Sequence, residues 1–165
     1  MDPRPRFTLI VPRAPAELDT VRQLMREYES WLGVDLCFQG FERELEGLPG
    51  DYVPPGGRLF LALDGERPAG CAALRRQDAG SGEMKRLFVR DAFRGLGLGQ
   101  TLARRVIDAA RAAGYSRLLL DTLPKMNAAL ALYRSLGFRP AARYYNNPLP
   151  EAIYLSLDLA ADARK

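Results

Sequence analysis

The segment from Glu83 to Gly99 reads EMKRLFVRDAFRGLGLG and is the most informative part of the sequence for the fold. Its first part, up to Val89, is rich in apolar residues and is typical of a strand. Three glycines at alternate positions follow, and then apolar residues recur at helical spacing. Glycines let a backbone approach a ligand closely, and a helix N-terminus carries a partial positive charge. This order predicts a phosphate or pyrophosphate site, to which Arg94 adds a full charge.

Two familiar nucleotide motifs do not account for this turn. A dinucleotide-binding turn needs G-x-G-x-x-G, but the third glycine is replaced by Gln100 when counting from Gly95 and by Leu102 when counting from Gly97. One feature favours that alternative, since Asp121 ends the next predicted strand where a ribose-binding acid would lie. A triphosphate-binding loop is excluded because no Lys-Ser or Lys-Thr pair follows the glycines.

The amino-acid composition excludes several kinds of catalytic and metal site. The 165 residues include no histidine and two cysteines, so histidine-based triads, histidine-ligated metals and a four-thiolate metal site within one chain are excluded. The net charge is +4, yet the segment from Lys85 to Arg117 alone holds eight basic and two acidic residues. This excess favours a polyanionic ligand near the segment; the alternative is a solvated helix face. A nucleic-acid binder is the third class considered, although interleaved aromatics and a recognition helix are missing.

The rest of the chain predicts an α/β protein with one mixed, mostly antiparallel sheet flanked by helices. Three strands, 58–63, 69–74 and 83–89, follow one another closely and predict an antiparallel meander. The complete order is β-α-α-β-β-β-α-β-α-β-β, and we expect residues 1–165 to form a single domain. No secretion signal or apolar run long enough to span a bilayer is visible. We therefore expect a cytoplasmic protein with no membrane contact, in which Cys37 and Cys71 are buried thiols.

Two motifs carry a family resemblance. Arg94 to Gly99 matches the Arg/Gln-x-x-Gly-x-Gly/Ala signature of the GNAT superfamily of acetyl-CoA-dependent N-acetyltransferases, and Leu132 to Phe138 (LYRSLGF) resembles its second motif, L-Y-x-x-x-G-F. The two lie at the separation found in that family. The resemblance implies a GNAT-like fold and direct transfer of an acetyl group from acetyl-CoA to a primary amine of a small molecule or peptide. Acetyl-CoA and the amine would meet in a ternary complex, without metal or nucleic acid.

The resemblance also implies how acetyl-CoA is held. Backbone amides of the glycine-rich turn would bind the pyrophosphate, and the strand ending at Val89 would align the pantetheine and acetyl groups. A bulge in that strand would let an N–H near Val89 polarise the thioester carbonyl. The cofactor-binding residues expected on this basis are Leu87, Phe88, Val89, Arg94, Gly95, Leu96, Gly97, Leu98, Gly99 and Gln100.

Two residues are candidates for proton transfer. The family motif makes Tyr133 the general acid for the departing thiolate, whereas its helical spacing alone favours a core residue. Glu83 opens the strand that leads to the acetyl group and is the candidate base, directly or through water. The alternative for Glu83 is a carboxylate paired with Lys85 or Arg86. The family's asparagine seven residues before the tyrosine is Met126 here, and Asn127 lies one position late.

The acceptor side is less specific. Aromatic-rich stretches at 28–41 and 144–148 are expected to line it, with Trp31, Asp35, Tyr145 and Asn146 as binding residues and Phe38 nearby. Asp35 could hold an ammonium group; the alternative is that the aromatics are core and the asparagines serve a turn. A non-catalytic acyl-CoA-binding module is the alternative function, and a homodimer through the last strands is compatible with the family.

Overall fold

The computed structural model of the chain describes residues 6–36 and 40–162. Within them a seven-stranded sheet is flanked by helices. The strands are β1 (Thr8–Ile10), β2 (Arg58–Asp64), β3 (Arg67–Asp78), β4 (Ser81–Val89), β5 (Arg117–Thr122), β6 (Arg139–Pro140) and β7 (Ile153–Asp158). The helices are α1 (Pro15–Leu32), α2 (Phe41–Glu46), α3 (Leu98–Ala112), α4 (Asn127–Ser135) and α5 (Leu159–Asp162), and a short 3-10 helix spans Asp91–Phe93.

The sheet has the order β1-β2-β3-β4-β5-β7-β6. Neighbouring strands are antiparallel except β4 and β5, which are parallel. This confirms the predicted fold class and the meander of β2, β3 and β4. The crossover through α3 supplies the parallel pair, because parallel strands need a long connection.

Each face of the sheet buries a separate apolar cluster. On one face α3 packs its apolar stripe, with Leu102 and Val106 fully buried, against sheet residues that include Leu118. On the other face α1 and α2 cover the sheet with side chains such as Met25 and Phe41. The sheet is thus buried on both sides, which fixes which face each strand residue occupies.

Several boundaries differ from the sequence-based prediction. Strands β3 and β4 extend further and are joined by a tight turn at Ala79 and Gly80, where a longer polar loop was expected. The predicted strand at 138–142 is reduced to the two residues of β6. Helix α5 and the 3-10 helix were not predicted. Both are short and leave little periodic signal.

Two further observations concern expectations from composition. Among the described residues, no helix is both long and apolar enough to cross a membrane. Cys71 is a fully buried free thiol, and burial raises its pKa to about 12. Cys37 lies outside the described residues, as does Phe38.

Candidate functional site

A cavity opens where β4 and β5 diverge. Their parallel pairing runs from Ser81–Arg117 to Glu83–Leu119 and goes no further in the described strands. Beyond that level, residues 84–89 form one wall and residues 120–123 the other. The cavity has a volume of about 280 Å³, close to the lower end of small-molecule sites. Its other walls are Tyr28, Trp31, Leu32, Leu36, Phe93, Arg94, Gly95, Gly97, Leu98, Gly99, Met126, Ala128, Ala129, Leu132, Tyr133 and Leu149.

A β-bulge interrupts β4 inside this cavity. Cys71 pairs with Phe88 and Ala73 with Lys85, so two steps along β3 correspond to three along β4. Arg86 lies in this bulge. Its φ of 59° falls in the left-handed region that is rare for a residue with a side chain. The expected bulge therefore exists, but it lies at Arg86 and Leu87, ahead of Val89. Bulges of this kind re-aim the backbone next to binding sites.

The side chain of Arg86 is held in a buried ion pair. Its guanidinium donates to both carboxylate oxygens of Glu44, from Nε at 3.0 Å and from Nη2 at 2.7 Å. Tyr52 donates to Glu44 as well, at 2.8 Å, and the guanidinium lies 5.1 Å from the ring centre of Phe41. Burial would raise the pKa of Glu44, but Arg86 outweighs it and the pKa is lowered. This network ties α2 to the bulged backbone of β4.

The glycine-rich turn lies at one end of the cavity. Gly95 and Gly97 have φ values of 78° and 82°, and Gly97 is the residue from which α3 begins. Leu98 is buried in the core, which anchors the first turn of α3. Leu96 and Gln100 are exposed and are not among the described cavity walls. The other residues expected to bind the cofactor all line the cavity.

Three contacts hold the side chain of Arg94 at the start of the glycine-rich turn. Its Nε donates to the carbonyl oxygen of Val89 at 3.0 Å, and its Nη1 to Asp91 at 3.0 Å. Its guanidinium also lies 4.6 Å from the ring centre of Trp31, a geometry that gives a cation–π attraction. Trp31, predicted for the acceptor side, thus reaches the donor turn. The cation is oriented before any ligand binds.

Tyr133 lies on α4 and lines the cavity. It is 7% exposed, and its ring packs on Phe138 with centroids 5.7 Å apart. Burial raises its pKa, and the neighbouring Tyr28 and Asp121 raise it further. The hydroxyl therefore stays protonated throughout the neutral range. Tyr133 has the placement and protonation state that a proton donor needs.

Glu83 is placed differently from the expectation. It is 1% exposed, is absent from the described cavity walls, and has both carboxylate oxygens hydrogen-bonded. Arg75 donates to Oε1 at 2.8 Å, and Tyr144 donates to Oε2 at 2.5 Å. The alternative of a paired carboxylate is therefore found, with Arg75 as the partner, and the charge of Glu83 also acts on Lys85. The role of Glu83 as a base stays a prediction, and it now concerns a buried carboxylate that does not belong to the described cavity walls.

Asp121, at the end of β5, is the carboxylate that lines the cavity among the described residues. Tyr145 donates to its Oδ2 at 2.6 Å and Asn147 to the same oxygen at 3.3 Å. Asn147 also donates to the Tyr145 hydroxyl at 2.9 Å. These contacts orient the carboxylate from one side. Tyr145, predicted to bind substrate, lies behind this carboxylate rather than in the cavity wall.

Lys85 is a buried cation in the wall opposite Asp121. It is 5% exposed, and burial lowers its pKa to about 8, although Glu83 and Asp121 oppose that shift. Since Lys85 pairs with Ala73 of the α1 and α2 cluster, its side chain lies on that face of the sheet. The site thus contains a cation that titrates close to neutral pH.

The other acceptor predictions receive less support. Asp35 and Asn146 are exposed and do not belong to the described cavity walls. Met126 does line the cavity, whereas Asn127, one residue later, does not. Neither Asp121 nor Lys85 was predicted from the sequence as a residue of the acceptor side, yet both line the cavity. The only available signal was the position of Asp121 at the end of a strand and of Lys85 in an otherwise apolar one. Among the described residues, no cluster of three or more histidine, cysteine, aspartate or glutamate side chains could hold a metal ion.

Comparison with known proteins agrees with this geometry. Residues 18–138 match the model of the acetyltransferase (GNAT) family. An uncharacterized N-acetyltransferase of Schizosaccharomyces pombe is 39% identical over 150 residues, which cover 90% of this chain and 92% of the relative. An acetyltransferase of Streptococcus agalactiae has a similar structure, with a TM-score of 0.78 at 22% identity, covering 93% of this chain and 98% of the other. The yncA protein of Salmonella typhimurium, solved with its cofactor acetyl-CoA, has a TM-score of 0.66 at 19% identity and covers 94% and 95% of the two chains.

Proposed function

The chain belongs to the GNAT family of acetyl-CoA-dependent acetyltransferases, and from this premise we propose that it transfers the acetyl group of acetyl-CoA directly to a primary amine of a small molecule or peptide. The observation that carries the proposal is one cavity that joins a bulged strand, a glycine-rich helix start and a buried tyrosine. Both substrates would bind together in this cavity, so that no covalent enzyme intermediate forms.

The donor half of the cavity suits a pantetheine pyrophosphate. The turn from Gly95 to Gly99 offers backbone N–H groups at the start of a 15-residue helix, and the Arg94 side chain adds a cation. The divergence of β4 and β5 beyond Glu83 leaves polar backbone edges facing the gap, where the amide groups of a pantetheine arm could hydrogen-bond. Acetyl-CoA therefore enters the proposal as co-substrate, with its thioester at the bulge.

The bulge is where the carbonyl would be activated. A backbone N–H of the segment from Leu87 to Val89, directly after the bulge, would donate to the thioester oxygen as it gains negative charge. One such oriented donor is typically worth about 3 kcal/mol of barrier. The amine nitrogen forms the new C–N bond while the C–S bond breaks. Alignment of the two reactants supplies much of the remaining acceleration.

Two protons must move in this reaction. Tyr133 would protonate the departing thiolate, because its raised pKa keeps the hydroxyl protonated. The acceptor reaches the site as an ammonium ion and has to lose a proton before attack. Asp121 lines the cavity and could take this proton directly, whereas Glu83 would need a relay. The pH–rate profiles of Asp121→Asn and Glu83→Gln separate these two bases: the variant that abolishes the acidic limb identifies the base.

The function is tested with acetyl-CoA and a broad amine panel. Acetyl-CoA should raise the melting temperature, since a ligand at 100 times its Kd contributes about 2.7 kcal/mol. Addition of an amine should then release free CoA, measured with a thiol reagent. A melting shift without thiol release from any amine would favour the non-catalytic acyl-CoA-binding module. Absence of a shift at millimolar acetyl-CoA would contradict both.

A further inference from the structure

We propose that the acceptor is an α-amino acid with an apolar side chain, its ammonium group bound by Asp121 and its carboxylate by Lys85. This inference rests on the proposed acetyl transfer and names the substrate of the same site. It follows from the position of one anion and one cation in the cavity, and from the apolar surface around them.

The register of the sheet places the two charges opposite each other. Glu83 and Leu119 are the last paired residues of β4 and β5, and two residues further along each strand Lys85 and Asp121 both line the cavity between them. The charge of Asp121 acts on Lys85 across this gap. Residues two apart on a strand share a face, and partners in a sheet point to the same side. Leu118 and Leu120 face the α3 cluster, which puts Asp121 on the α1 and α2 side together with Lys85.

The carboxylate of Asp121 is prepared for a ligand on this side. Both donors, Tyr145 and Asn147, bond to Oδ2, and Oδ1 receives no hydrogen bond from the described residues. A carboxylate fixed through one oxygen presents the other in a defined direction. An ammonium group in the cavity can donate to Oδ1 without displacing either orienting contact, because it carries three donors.

Lys85 is the buried cation that would receive the carboxylate of the substrate. Burial disfavours its charged form, Glu83 and Asp121 favour it, and a substrate carboxylate beside it would favour the charge further. An amine without a carboxylate would instead bring a second cation next to Lys85. The ammonium nitrogen and the carboxylate carbon of an α-amino acid are both bonded to Cα, so its two charges lie close together and match an anion and a cation on neighbouring strands.

The remaining walls on this side are apolar or aromatic. They come from the end of α1 and from the loops that follow α1, β5 and β6. Leu32, Leu36, Leu123 and Leu149 are aliphatic, and Tyr28 adds a partly buried ring. Asp121 is the only carboxylate among the described cavity walls, so a second ammonium group, as in a polyamine, would have no counter-charge there. The side chain of the amino acid should therefore be apolar.

Matched acceptors test this proposal with the unmodified protein. We compare L-leucine with 3-methylbutylamine and L-phenylalanine with 2-phenylethylamine, since each pair differs only in the carboxylate. We expect kcat/KM for CoA release to be about 10- to 100-fold higher with the amino acid, the range given by one charge-assisted hydrogen bond. An equal or higher value with the amine, or a preference for a polyamine, would overturn the inference.

The variant Lys85→Met then assigns the carboxylate contact. It should reduce the amino-acid-to-amine ratio of kcat/KM by at least 10-fold, because only the amino acid loses a partner. A merely structural role of Lys85 would lower both values and keep the ratio. Arg43→Met removes an exposed cation from α2 and serves as the charge-matched control with an unchanged ratio. If no amine releases CoA, the proposed function fails; if amines react irrespective of their carboxylate, only the acceptor assignment fails.

Discussion

The hydroxyl of Tyr144 donates to Oε2 of Glu83 over 2.5 Å and joins the loop after β6 to the centre of the sheet. Glu83 is also bound by Arg75, so the carboxylate is buried and bonded at both oxygens. Burial and the nearby Glu83 raise the pKa of Tyr144, which keeps its proton available for this bond. The contact holds the loop that carries Tyr145 and Asn147 behind Asp121.

Removal of this donor should destabilise the protein. Tyr144→Phe leaves one oxygen of a buried carboxylate without a partner, and we expect unfolding in urea to need about 1–3 kcal/mol less free energy. The control is Tyr115→Phe, which loses a bond to the neutral carbonyl of Gly56 at 2.6 Å. We expect a smaller cost there, about 0.5–1.5 kcal/mol. If the two variants lose the same free energy of unfolding, the bond from Tyr144 to the charged Glu83 stabilises the protein no more than a bond to a neutral carbonyl.

Tyr133→Phe should lower kcat by about 100-fold with little change in the KM for acetyl-CoA, since a general acid acts in the transition state. The measurement is steady-state thiol release with the acceptor that reacts best. Because its pKa is raised, Tyr133 stays protonated at high pH. A fall in rate with rising pH below about pH 10 should therefore not come from this residue. A variant with wild-type turnover would exclude Tyr133 as the acid.

The pair of Arg86 and Glu44 should be important for stability and for turnover. Glu44→Gln leaves the buried guanidinium uncompensated, and loss of one partner of such a pair costs about 3–5 kcal/mol. Because Arg86 shapes the bulge, kcat should fall in the fraction that stays folded while acetyl-CoA still binds. Glu42→Gln is the matched control on the same helix, as Glu42 pairs with exposed Arg26 at 3.0 Å and should cost under about 1 kcal/mol.

Comparable losses for Glu44→Gln and Glu42→Gln in chemical denaturation would contradict this prediction. So would wild-type turnover in the Glu44 variant.

Lys85 should make stability depend on pH between 8 and 10. Its pKa in the folded protein is about 8, below the ordinary 10.5, because burial disfavours the charge. In that window the unfolded chain binds more protons than the folded one, so stability rises with pH. The free energy of unfolding, wild type minus Lys85→Met, should increase by about 2 kcal/mol from pH 7.5 to 10. A flat difference would show that the pKa of Lys85 in the folded protein stays near its ordinary value, because water or a paired carboxylate stabilises the charge.

Much of the donor side could be predicted from the sequence because its signals are local. The glycines from Gly95 to Gly99 and the motif around Tyr133 are contiguous patterns, and both reach the cavity as expected. The partners of charged groups could not be predicted in this way. Arg86 and Glu44 are 42 residues apart, and Tyr144 and Glu83 are 61 apart. Such pairs depend on how helices and loops pack on the sheet.

Sequence patterns alone were sufficient to predict the family, the glycine-rich turn where α3 begins, and the order of the elements apart from the 3-10 helix and α5. Periodicity and short motifs are sufficient for these features, since they reflect backbone preferences within one element. The three-dimensional packing was needed to show that Asp121, rather than Glu83, lines the cavity together with Lys85. This follows from the divergence of β4 and β5 after Glu83, because it leaves Glu83 inside the paired sheet and brings the residues two positions further to the cavity wall.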